Sequence, residues 1–123
     1  MKLSFSKKER NLSKNAIDEL YRSGDRLNSS HLIVIWKKNE NKGIKLLISV
    51  PKKKVKKAVE RNHIKRLIRE SYRRNKSLIS NLILKPMKLI IIYNKSTLPE
   101  FNELSEELLT LFKLLQKKNN ELN

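Results

Sequence analysis

Ile17, Leu20 and Tyr21 fall at i, i+3 and i+4, the spacing of a short amphipathic helix that Ser13 is placed to cap and Gly24 to end. Leu32 to Lys38 is dense in β-branched and aromatic residues and predicts a strand. Asn39 to Gly43, polar and closed by Gly, predicts a hairpin-type turn into a second strand over about Ile44 to Val50, which Pro51 closes. A long helix covers at least Glu60 to Arg74. With Ile64 at zero, Leu67, Ile68, Ser71 and Tyr72 fall within roughly 80° of it, a narrow apolar stripe. Val55 and Val59 fall off that stripe, so the helix begins or bends near Ala58. Lys88 to Tyr93, introduced by Pro86, predicts a third strand. Thr97 and Glu100 have capping-box spacing with Pro99 in the first turn, and Phe101, Leu104, Leu108, Leu111, Phe112 and Leu115 mark a final amphipathic helix.

The order helix, strand, strand, helix, strand, helix predicts an α+β sandwich in which helices cover one face of a small mixed sheet. The step from the second strand through the long helix to the third is a βαβ crossover, right-handed by the general rule. A single domain is expected over 1–123, with a polar basic lead-in at 1–11 and a frayed tail at 117–123.

Charge changes this picture from fold to partner. The 123 residues carry a formal net charge of +17. Between Lys52 and Lys76 stand twelve Lys and Arg against two Glu, so +10 of that charge lies in one segment, whereas the chain after Pro99 is mildly acidic. A localised excess of this size argues for docking on a polyanion. Around the long helix Asn62, Lys65, Arg66, Arg69 and Arg73 oppose the apolar stripe, with His63 and Glu70 at the margin and Arg61 beside the apolar edge. Solvated helical faces usually mix signs, because like charges one turn apart repel; here the repulsion is relieved by phosphates. Arg and Asn on one face suit nucleic acid better than lipid, since a guanidinium grips phosphate with two donors and a carboxamide pairs with a base edge. A membrane-surface helix needs a broad apolar band that this stripe does not supply.

Composition removes several chemistries. There is no Cys, hence no disulfide scaffold, thiolate metal site or thiol nucleophile. The longest apolar runs, Leu32 to Trp36 and Leu89 to Tyr93, are too short to span a bilayer, and MKLSFSKKERN lacks a signal-peptide core. Two Gly cannot build a phosphate-cradling loop. His31 and His63 have no metal-ligating spacing, and His31, just before a strand, reads as a surface or turn residue. The residues alone describe a nucleic-acid-binding module without its own chemistry. A ribosomal-type RNA-binding protein fits the charge and element order equally well, while a DNA-architectural protein lacks a dimerising element or groove-reading helix.

The segment ISVPKKKVKKAVERNHIKRLIRESYR, Ile48 to Arg73, closely resembles the signature of the protein subunit of bacterial ribonuclease P. It has the strand ending in Ser-Val, the Lys-rich loop, and an Arg-Asn-Arg-type motif followed by Ile-Lys-Arg-Leu and a further Arg. The flanking elements agree in length and order. The resemblance implies a cytoplasmic ribonucleoprotein in which a catalytic RNA with bound Mg²⁺ hydrolyses one phosphodiester of precursor tRNA, releasing the 5′ leader and leaving a 5′-phosphate. No metal, membrane or DNA contact is then expected of the protein itself, and no catalytic side chain. It also implies a ribosomal-protein-like sandwich with a left-handed crossover, against the general rule. By position it assigns Arg61, Asn62, Lys65, Arg66 and Arg69 to contacts with the catalytic RNA and nearby leader, and Lys52, Lys53 and Lys54 to the basic loop, a patch that Lys56, Lys57 and Arg73 extend. Ile17, Tyr21 and Ile35 match a leader-binding cleft between the first helix and the sheet, with core packing as the plain alternative. His63 stands where the motif has its second Arg, a weaker donor in place of a permanent cation.

Overall fold

The computed structural model describes residues 12–38, 44–82 and 86–121. Helix α1 (Lys14–Ser23) leads into β1 (Asp25–Asn28), β2 (Leu32–Lys38) and β3 (Ile44–Ser49). Then come α2 (Ala58–Arg74), α3 (Lys76–Leu82), β4 (Met87–Tyr93) and α4 (Phe101–Glu121). The sheet order is β1-β2-β4-β3, with β2 antiparallel to β1 and β4, and β3 parallel to β4. The fold is α+β with a mixed four-stranded sheet.

The predicted β2–β3 hairpin is not formed: β4 lies between the two strands, and the turn assigned to it lies outside the described residues. The reason is that both strands gain a better partner in β4, whose Leu89 to Tyr93 run is buried throughout and fills the sheet centre. The antiparallel neighbour that β2 has in sequence is β1, closed by the Ser29 N–H donating to the Leu32 carbonyl at 2.8 Å. Strand β1 and helix α3 escape a pattern search because both are short; among their described side chains Leu27 and Ile79 contribute to the core.

Helices cover both faces of the sheet, not one. Leu32, Val34, Trp36, Leu46, Leu89, Ile91 and Tyr93 alternate along their strands to one face, where Ile64, Ile68 and Tyr72 of α2 and Leu104, Leu108, Leu111, Phe112 and Leu115 of α4 close the main core. Burying each such side chain is worth about 1.5–3 kcal/mol. On the other face Leu20 of α1 packs on Ile35, Ile90 and Ile92. Val55 is buried in the main core although it precedes α2, which is why it falls off the helical stripe; Val59, on the helix proper, is 81% exposed.

One cap assignment differs from expectation. Ser13 caps α1 as predicted, its Oγ accepting from the Ala16 N–H at 3.1 Å. Gly24 ends α1 with an extended backbone (φ −72°) rather than a left-handed one. Its glycine is required by close approach: a Cβ there would meet Ile35 Cγ2 and the Leu20 carbonyl oxygen, both at 2.6 Å. Helix α4 starts at Phe101, so Glu100 precedes it and Thr97 is no cap; the Thr97 carbonyl instead accepts from the Tyr93 hydroxyl at 2.5 Å. Helix α4 also runs on to Glu121, into the stretch expected to fray.

Candidate nucleic-acid interface

Pro51 turns the chain out of β3. The amides of Lys54 and Val55 both donate to its carbonyl at 3.1 Å, making a tight turn whose Lys52, Lys53 and Lys54 side chains are exposed. Val55, sunk in the core, pins the far end of the turn, and Lys56 and Lys57 return to the surface. The Lys57 side chain makes no cap to α2, so the amide end of the helix dipole adds its positive potential to the lysine cluster. Along α2, Asn62, His63, Arg66 and Arg69 are exposed and Lys65 is half-buried, continuing the cationic surface away from the core. Loop and helix together make one contiguous positive ridge.

Two of the assigned cations are committed within the protein. Arg61 is half-buried and its Nη1 donates to the backbone carbonyls of Val55 (3.1 Å) and Lys56 (2.7 Å), bracing the loop against the helix. Arg73 grips Glu70 with both Nε and Nη2, and Arg74 Nε reaches the same carboxylate at 3.0 Å. The hydrogen bond from Arg73, followed by that from Arg74, holds the Glu70 carboxyl down at about 2. Arg73 therefore forms the end of the ridge rather than a free contact, and Arg74 lies over the Phe101 ring, 4.9 Å from its centroid.

The residues matched to a leader cleft lie on the opposite face of the sheet from α2. Tyr21 is 43% exposed and Ile17 is half-buried against the Leu20 cluster. Ile35 is 0% exposed, sealed beneath Leu20 and the close approach of Gly24, and is a core residue here. Its assignment to an open cleft is corrected on that ground: no surface of the side chain is left to meet a base.

His31 carries more structure than a surface residue. Its ring Nδ1 donates to Glu107 Oε2 at 2.8 Å, its backbone N–H donates to Oε1 at 2.5 Å, and the Ser29 hydroxyl donates to the same oxygen. Burial works to raise the Glu107 carboxyl, yet the Ser29 and His31 hydrogen bonds together hold it below its ordinary value. The ring also stacks on Tyr93, with centroids 6.2 Å apart. This cluster ties the β1–β2 turn to α4, and no spacing in the sequence signals it. Among the described residues no group of three His, Asp or Glu converges as a metal site, and no helix is long and apolar enough to cross a membrane.

Comparison with known proteins places this chain in a family. The family model "Ribonuclease P" matches residues 5–116. The ribonuclease P protein component of Photobacterium profundum is 36% identical over 117 residues, covering 94% of this chain and 89% of that one. That of Citrifermentans bemidjiense is 34% identical over 115 residues, covering 94% and 95%. The RNase P protein of Thermotoga maritima superposes with a TM-score of 0.71 at 30% identity, covering 85% of this chain and 96% of that one. With the family model covering most of its length and its signature falling on the cationic ridge, the chain belongs to the ribonuclease P protein family, the protein components of an RNA-containing endoribonuclease that processes tRNA.

Proposed function

We propose that this chain binds the catalytic RNA of ribonuclease P through the ridge from Lys52 to Arg69, and that it binds the 5′ leader of precursor tRNA on the α1 side of the sheet. The observation that carries the reading is the bracing of the basic loop by Arg61, which presents Lys52 to Lys54 and the α2 cations as one surface of fixed shape. Phosphates neutralise the mutual repulsion along that surface, so assembly releases counterions and is strongly salt-dependent. Tyr21, partly exposed beside half-buried Ile17, offers a ring for base stacking.

In this reading the chain's own side chains orient RNA and carry no bond-breaking step. Mg²⁺ held by the partner RNA would supply the metal-ion chemistry for hydrolysis of one phosphodiester, which would leave a 5′-phosphate on the tRNA. The site of action is the cytoplasm, with neither DNA nor membrane as a partner.

Reconstitution with a bacterial ribonuclease P RNA at low Mg²⁺ tests the proposal. Stimulation of 5′ maturation of precursor tRNA is expected, and catalytic-RNA affinity should fall with a log-log salt slope of several units, reflecting on the order of five to eight phosphate contacts. A protein that neither stimulates cleavage nor shows a salt slope lacks the proposed role.

A further inference from the structure

The strand register sets three lysines side by side. Lys37 of β2 lies opposite Lys88 of β4, which in turn lies beside Lys45 of β3. Residues in register share a face, so these side chains form one rung across three strands. Two residues along the strands the next rung is Ile35, Ile90 and Leu47, which places the lysines on the α1 side, away from the ridge of α2.

All three lysines are half-buried. Like charges directly opposite each other weaken a sheet, and partial burial lowers the screening between them. The fold provides one counter-charge: Glu19 of α1 lies 2.8 Å from Lys37 Nζ, which also donates to Ser23 Oγ at 2.8 Å. The hydrogen bond and field of Lys37, with the field of Lys88 added, lower the Glu19 carboxyl below its ordinary value. Among the described residues no carboxylate pairs with Lys45 or Lys88. Glu19 thus answers Lys37 directly and Lys88 through its field, while among the described residues Lys45 has no carboxylate partner.

The rung also has a position relative to the basic loop. From Lys45 the chain of β3 runs about 13 Å to Ser49, four residues at roughly 3.3 Å each, before Pro51 and Lys52. Half-buried Leu47 and Ile33 lie on the same face between the two cationic ends. An apolar strip bounded by cations at both ends suits a single strand of RNA, whose bases lie on the strip and whose phosphates meet the cations.

We propose that Lys37, Lys88 and Lys45 form a phosphate-binding rung for the single-stranded 5′ leader, and that the Glu19 carboxylate holds the place of a phosphate until RNA arrives. The proposal rests on the leader-binding function above. A carboxylate oxygen and a phosphate oxygen make the same charge-assisted contact with an ammonium group, and the phosphate carries further oxygens that extend the contact to the neighbouring lysines.

The test uses the holoenzyme reconstituted with a bacterial ribonuclease P RNA, and three ligands: precursor tRNA with a leader of about ten nucleotides, the same with about two, and mature tRNA. Replacing both Lys45 and Lys88 by Ala is expected to weaken the long-leader substrate about tenfold, leaving the other two within about twofold. Glu19→Gln is expected to tighten the long-leader substrate by about threefold. Lys45→Gln with Lys88→Gln keeps the packing of the stems, and a melt matching wild type assures that the fold is intact. Unchanged long-leader affinity, an equal loss on all three ligands, or a loss of affinity for the catalytic RNA instead would each overturn the rung. Failure of the wild-type protein to stimulate cleavage would count against the function itself, which is a separate result.

Discussion

The guanidinium of Arg61 donates to the backbone carbonyls of Val55 and Lys56, so the first turn of α2 holds the very chain that leads into it. A residue that the motif marks as an RNA contact is thereby the brace of the basic loop proposed to bind RNA. Its Nη1 alone serves both carbonyls, aimed by the planar guanidinium, a fixed direction that a lysine ammonium on a flexible stem does not reproduce.

Arg61→Lys keeps the charge and loses the rigid Nη1 donor that reaches both carbonyls. It is expected to weaken catalytic-RNA binding by about 1–2 kcal/mol with a nearly unchanged salt slope, because phosphate contacts persist while the loop loses its shape. Amide hydrogen exchange over Lys54 to Lys57 should accelerate. An affinity loss accompanied by a reduced salt slope and unaltered exchange would mean that Arg61 acts as a direct phosphate contact.

His63 is exposed on α2, one residue beyond Asn62 on the ridge. His63→Arg supplies a permanent cation with five donors and should tighten catalytic-RNA binding by up to about tenfold, leaving the circular dichroism unchanged. Binding titrations that show no gain would establish that this margin of the helix does not meet RNA.

The Glu107 carboxylate links Ser29 and His31 to α4, and its folded-state pKa lies below its ordinary value. A depressed carboxyl stabilises the fold above its unfolded pKa, and that stabilisation is lost as pH falls through the folded pKa. Melting temperature should therefore drop as pH is lowered from about 5. Glu107→Gln should cost about 1–3 kcal/mol at neutral pH and show a shallower acid limb. Parallel pH curves for the two proteins would remove Glu107 from this role.

Ser71 is wholly buried on α2, and its hydroxyl has no hydrogen-bond partner. Ser71→Ala removes an unpaired polar atom and installs a better helix former, so stability should rise by about 1 kcal/mol, a few degrees in the melt. RNA affinity should not move, because the position faces the core. A lower melting temperature would show that the hydroxyl is hydrogen-bonded in solution.

Where periodicity was strong, the chain announced its own elements. Ile64, Leu67, Ile68, Ser71 and Tyr72 fall on the face of α2 that packs against the core, and the opposite cations follow without further information. Strand β1 and helix α3 were silent because a four-residue edge strand and a seven-residue helix are each too short for their few apolar positions to establish a period. The burial of Ile35 was equally hidden, since alternation assigns a side chain to a face of the sheet but does not say which helix covers that face.

The sequence by itself determined the chemistry: a local excess of cations, their common helical face, and the signature that marks the family. These are properties of neighbours in the chain, one turn or one pleat apart, and the 3.6- and 2-residue periods make them readable. Only the tertiary structure decided which strands pair, which face α1 covers, and which cations are already occupied. The insertion of β4 between β2 and β3 brings Lys37, Lys88 and Lys45 into one rung. The fold likewise brings His31 to Glu107 across 76 positions of sequence. Such contacts depend on register and on packing between distant segments, and local spacing carries no trace of either.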